Sequence, residues 1–138
     1  MLFYEIKVVY QRQTGEENPA NVKESYLVEG LTPADVEKRL IEQIQPFIMG
    51  DLEVPSCTKR QYFEIITSPE ADKWYKGRVE LITIEDSGKE TRRTVTVLVQ
   101  ATTAMHAMKN LTQAMSGYDS EIISVARTAY MDVIRAVN

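Results

Sequence analysis

The feature that most limits what this chain can fold into is an internal repeat. A shift of 71 residues places Phe3-Tyr4 on Trp74-Tyr75, Lys7 on Arg78 and Val8 on Val79. The same shift aligns Leu27-Val28 with Leu98-Val99, Thr32 with Thr103, Lys38 with Lys109 and Leu40 with Leu111. A shift of 68 then aligns the ends. Asp51 meets Asp119, Glu53 meets Glu121, Ser56 meets Ser124, Lys59 meets Arg127, and Tyr62–Ile66 meets Tyr130–Ile134. One three-residue deletion reconciles the two shifts. Matching strands, turns and helix in the same order point to a duplication.

Each half reads as ββαβ. The first strands, Leu2–Gln11 and Trp74–Ile84, alternate apolar and polar residues, as a half-buried strand requires. Turn-forming segments follow at Gln13–Pro19 and Asp86–Lys89. Second strands are expected at Lys23–Glu29 and Arg92–Gln100, where Thr94–Val99 is dense in β-branched residues. Thr32-Pro33-Ala34-Asp35 is a helix start, with a capping hydroxyl, a proline in the first turn and an acid at the positive end. Val36, Leu40, Ile44 and Phe47 then mark one face. The second helix starts near Thr103, with Ala104, Ala107, Met108, Leu111 and Met115 inward. Long third strands are expected at Glu53–Thr67 and Glu121–Val137, with a bulge or edge at Pro55.

These elements predict an α+β fold. The expected arrangement is a single domain over residues 1–138, with repeats of about 1–67 and 73–138. A unit of about 60 residues buries little surface alone, so the halves should share a core. The simplest solution is one mainly antiparallel sheet with both helices on one face and a pseudo-twofold axis.

Several sequence blocks resemble a known family. They are the opening Phe3–Val8, Tyr26–Thr32, Pro46–Gly50, Asp72–Lys76, Val97–Gln100 and the terminal Ala129–Ile134. Together they resemble small uncharacterised proteins of Bacteroides-type gut bacteria and their phages, grouped as a domain of unknown function. That resemblance implies no activity and no catalytic residue. It implies a phage or phage-derived setting, with the protein in the host cytoplasm.

Composition narrows the function classes. The 138 residues are 43% hydrophobic and 26% charged, the balance of a globular chain. No apolar run approaches a membrane span, and the alternating start is unlike a secretory signal. The single cysteine, Cys57, forms no internal disulfide, which fits a cytoplasmic setting. Net charge is −4, and residues 1–69 carry 7 basic and 11 acidic side chains against 9 and 9 in the remainder. An acidic chain has few cations to release phosphate counterions, so duplex DNA is not an expected partner.

Catalytic motifs do not emerge. One cysteine and one histidine, His106, are too few for a zinc site, and no nucleophile–histidine pairing or glycine-rich phosphate loop is present. His106 aligns with Asp35 and is expected on the exposed helix face, and Cys57 as a buried thiol. The repeated acids Asp51/Glu53 and Asp119/Glu121 read as solvated edges. No enzyme activity, cofactor or metal is expected.

The best binding candidates are duplicated aromatic and basic residues: Phe3 with Trp74, Lys7 with Arg78, and Lys59 with Arg127. Lys59 and Arg127 interrupt the stripes Cys57-Phe63-Ile65 and Val125-Met131-Val133, where a cation needs a path to water or an anionic partner. Aromatic rings stack on bases and arginine grips phosphate. The expectation is a non-enzymatic binder of a nucleotide-like small molecule. In a phage, such a protein would be a sponge that sequesters a host defence signal. The alternatives are a structural or partner-binding subunit and a single-strand nucleic-acid accessory. A homo-oligomer is expected.

Overall fold

A computed structural model describes residues 2–13, 18 and 20–136. Thr14–Glu17 and Pro19 of the expected first turn, and Val137 of the expected last strand, lie outside the described residues. In chain order the elements are β1 (Phe3–Arg12), β2 (Ala20–Glu29), α1 (Pro33–Ile44), a 3-10 turn (Gln45–Phe47), β3 (Ile48–Arg60) and β4 (Glu64–Ile66). These are followed by β5 (Lys73–Ile84), β6 (Glu90–Ala101), α2 (Ala104–Ala114), β7 (Ser120–Arg127) and β8 (Tyr130–Ile134). The α+β reading holds.

The strands form two four-stranded mixed sheets, ordered β3-β1-β2-β8 and β4-β6-β5-β7. This corrects the expectation of one mainly antiparallel sheet. The cause is a break in each long third strand. Gln61–Phe63 separates β3 from β4, and Thr128-Ala129 separates β7 from β8. After each break the chain changes sheet. β4 pairs in parallel with β6, and β8 in parallel with β2, while the other ladders are antiparallel. The chain accordingly divides into two compact units, residues 1–61 with 129–138, and residues 62–128.

In the first unit, Tyr4, Ile6, Val8 and Tyr10 of β1 and Tyr26 and Val28 of β2 face Val36, Leu40 and Ile44 of α1. Thr32 caps the helix by accepting a hydrogen bond from the Asp35 amide at 3.1 Å, the start that the sequence signals. Phe47 is not on the buried helix face. It falls in the 3-10 turn and is 41% exposed. β3 is an edge strand, and its register slips between Glu53 and Ser56, where Pro55 lies.

In the second unit, Tyr75 and Val79 of β5 and Val97, Val99 and Ala101 of β6 pack on Ala107, Leu111 and Met115. Gly77 belongs there because α2 comes down on β5 at this point: a Cβ on Gly77 would collide with the Leu111 side chain. Thr103 caps α2 by accepting from the His106 amide at 3.1 Å. Only a narrow stripe of α2 is covered. Ala104 is exposed and Met108 is 40% exposed, contrary to the wider face expected for them. The segment before β5 is clamped. Gln100 accepts from the Ser68 amide and donates to the Ala71 carbonyl, both at 2.9 Å.

Candidate functional site

Strand alternation sets which side chains escape the core. On β1, Ile6 and Val8 turn toward α1, so Lys7 projects from the other face. Register places Lys7 opposite Ser25 of β2 and Ser56 of β3. On β5, Val79 turns toward α2, and Arg78 projects from the other face opposite Thr96 of β6 and Ser124 of β7. Each sheet therefore carries a row of hydroxyl, cation and hydroxyl across three adjacent strands. Directly opposed residues stand ~5 Å apart, so each row is about 10 Å long. Lys7, Arg78 and Ser124 are exposed, and Ser25, Ser56 and Thr96 half-buried.

The charges around the rows differ. Lys7 Nζ lies 4.0 Å from the Glu5 carboxylate, which also meets Arg60 at 3.5 Å and accepts from the Tyr130 hydroxyl at 2.8 Å. In the second unit, Arg92 draws in Glu80 at 2.6 Å, Glu90 at 3.1 Å and Glu121 at 3.5 Å. Hydrogen bonds to Glu80 and Glu90 raise the Arg92 pKa. Arg78 itself forms no ion pair among the described residues. An open guanidinium between two hydroxyls suits an oxyanion, since every group in the row can donate.

The six candidate residues do not converge. Phe3 and Trp74 are 3% and 4% exposed, so neither ring offers a free face. The Arg135 guanidinium lies 5.4 Å from the centre of the Phe3 ring, and the Trp74 carbonyl accepts from the Thr128 amide and hydroxyl at 2.9 Å. Lys59 is paired with Tyr4 and Arg127 with Tyr75, which puts both cations on the helix side of edge strands, away from Lys7 and Arg78. The apolar stripes expected around them are cut by the strand breaks, because Phe63 falls within the first break and Ile65, Met131 and Val133 fall beyond the breaks. Both cations are exposed.

Cys57 is half-buried beside the first core, where burial and, secondarily, Glu37 push its thiol pKa up. His106 is half-buried rather than exposed. Its Nδ1 accepts from the Thr102 amide at 3.0 Å, and Nε2 lies 3.3 Å from Asn110 Nδ2. Among the described residues no three His, Cys, Asp or Glu side chains are grouped to hold a metal ion. No helix among the described residues is long and apolar enough to cross a membrane.

Sequence reasoning missed one polar centre. Glu24, 8% exposed, accepts at Oε1 from the Tyr10 hydroxyl at 2.7 Å and the Tyr26 hydroxyl at 2.9 Å. Arg12 Nη1 reaches Glu24 Oε2 at 3.2 Å and donates to the Tyr10 oxygen at 2.8 Å, and its guanidinium lies 4.4 Å from the centre of the Phe47 ring. No buried side-chain nitrogen or oxygen among the described residues is left unpaired, so this centre is internally satisfied and acts as a structural clasp. Its signal was available: Glu24 and Tyr26 alternate on the core face of β2, and an acid there needs donors.

No curated protein matches the chain in sequence. A family pattern does match, over residues 2–136, nearly the whole length. The chain belongs to the family described as Domain of unknown function (DUF4494).

Proposed function

We propose that this protein is a non-enzymatic binder of small anionic ligands, with phosphate-bearing, nucleotide-like molecules as the favoured class. The reading is carried by one observation, the hydroxyl–cation–hydroxyl row that recurs as Ser25-Lys7-Ser56 and Thr96-Arg78-Ser124. We read the chain as a duplicated ββαβ unit whose last strand crosses into the other sheet. Retention of the row in both copies is then what a ligand-gripping function requires. Base stacking on Phe3 or Trp74 drops out of this reading because both rings are buried. In a phage setting the same chemistry serves a sponge for a host defence signal, acting in the host cytoplasm.

The test is calorimetric titration with inorganic phosphate, a nucleoside monophosphate and the parent nucleoside, together with mass spectrometry of small molecules released by heating the purified protein. The monophosphate should bind and the nucleoside should not. Arg78→Ala should lower affinity roughly thirtyfold, about 2 kcal/mol, the value of a charge-assisted contact to an anion. Equal binding of the nucleoside, or unchanged binding by folded Arg78→Ala and Lys7→Ala variants, overturns the reading.

A second reading, a partner-binding subunit that includes self-association, is favoured by Met105 and Met108. They are 86% and 40% exposed and lie one turn apart on α2. Flexible thioethers in the open are common at adaptable protein interfaces. Loss of self-association or partner capture in Met105→Lys would support it.

A further inference from the structure

We propose that the second unit holds a separate binding site, for a small zwitterion of the amino-acid or dipeptide class, in the cleft on the hairpin formed by β5 and β6. It uses residues distinct from the Arg78 row and does not depend on that row binding anything. The cleft is open to solvent, has a volume of about 390 Å³ and is lined by Leu81, Thr83, Glu85, Thr91, Arg92 and Arg93.

The cleft follows from uneven strand lengths. The β5–β6 ladder runs out to Ile84 paired with Glu90, but β7 reaches only as far as Leu81. The last rungs of the hairpin thus have no third strand beside them. The first unit contrasts with this. There β3 accompanies β1 to Arg12, at the end of its ladder, and Tyr10, Arg12, Glu24 and Phe47 fill the helix side. In the second unit Leu81 faces Arg93 and Thr83 faces Thr91, leaving an apolar floor, hydroxyls and a cation around open space. The turn that carries Glu85 is fixed by hydrogen bonds from the Glu85 amide to the Lys89 carbonyl and from the Gly88 amide to the Glu85 carbonyl, both at 2.8 Å. Gly88 adopts the left-handed conformation this turn needs.

Charge placement identifies the ligand class. Glu85 and Arg93 line the same cleft, yet they form no ion pair with each other or with any other described residue. Arg92 does not compete, because Glu80, Glu90 and Glu121 occupy it. A cation and an anion held apart over an apolar floor match a molecule that carries both a carboxylate and an ammonium group. Arg93 would take the carboxylate through its fork of N–H donors, and Glu85 the ammonium. The Thr91 hydroxyl donates to the Thr83 carbonyl at 3.3 Å, so its oxygen faces incoming donors as an acceptor. Leu81 would meet an apolar side chain.

The experiment is titration of the full chain with leucine, glycyl-leucine, N-acetyl-leucine and leucinamide, followed by calorimetry and amide chemical shifts. The two zwitterions should shift the Thr83, Thr91 and Arg93 amides. The blocked forms, which lack one charge, should bind about tenfold more weakly or worse, as should Arg93→Gln and Glu85→Gln with the zwitterions. Tighter binding of glycyl-leucine assigns the site to peptides, and tighter binding of leucine to free amino acids. Absence of shifts with both zwitterions at millimolar concentration overturns the proposal. So does equal binding of the blocked forms, which is readable without any variant.

Discussion

The Tyr26 hydroxyl and the Tyr10 hydroxyl converge on the same oxygen of Glu24, at 2.9 and 2.7 Å, and both tyrosines belong to the core that packs on α1. The Arg12 guanidinium balances the charge of this carboxylate and two phenols donate hydrogen bonds to it, where burial alone would disfavour it. Removing the carboxylate strands the two phenolic donors and leaves Arg12 only the Tyr10 oxygen. Glu24→Ala should therefore destabilise the first unit by about 3 kcal/mol, more than a surface pair would, while Glu24→Gln retains an acceptor and costs less. Hydrogen exchange by β1 and β2 amides should rise, with β5 and β6 unaffected. Equal loss in both units, or none, would contradict the clasp.

The same cluster makes an alkaline prediction. Burial, with the Glu24 hydrogen bond next, pushes the Tyr10 pKa from 10.0 up to about 12, and burial with the Glu24 charge raises Tyr26 further. The folded state therefore holds these protons above pH 10, where the unfolded chain releases them. That contribution is complete below pH 10 and fades as pH rises through about 12. Denaturant midpoints should fall more steeply between pH 10 and 12 in the parent protein than in a Tyr10→Phe, Tyr26→Phe double variant. Parallel slopes would remove the two tyrosines from the linkage.

Local signals in the sequence were strong where the physics is local. Thr32 and Thr103 cap helices because a hydroxyl accepts from the amide three residues on, and such pairs are visible in any linear reading. Alternation located β1 and β5, and Pro55 marked the irregular edge of β3. Strand partnership was another matter. Tyr62–Ile66 and Tyr130–Ile134 looked like continuations of the strands before them, because period-two alternation records which face is buried and not which neighbour supplies the hydrogen bonds. The binding candidates divided for the same reason. Lys7 and Arg78 could be placed on outward faces by counting from Val8 and Val79. The burial of Phe3 and Trp74 at 3% and 4% depends on tertiary cover that no local pattern encodes.

Strand β8 tests that lesson energetically. Its Tyr130 and Ile134 are 7% and 9% exposed, and Ile134 joins the core of the first unit with Val28 opposite it in register. The unit's own sequence supplies β1, β2 and β3 more than 68 residues earlier, so this strand docks across the longest loop in the sheet. Its attachment depends on parallel hydrogen bonds to β2 and on these side chains. Ile134→Ala should cost about 3 kcal/mol through lost burial and a residual cavity. The loss should appear as faster exchange by β2 and β8 amides, while β4, paired with β6, keeps its protection. A companion variant, Ile66→Ala in β4, should give the reverse pattern, exposing β6 and sparing β2. If both substitutions loosened both sheets equally, the two units would unfold as one cooperative body, and the separate cores built on Leu40 and Leu111 would not be separable energetically.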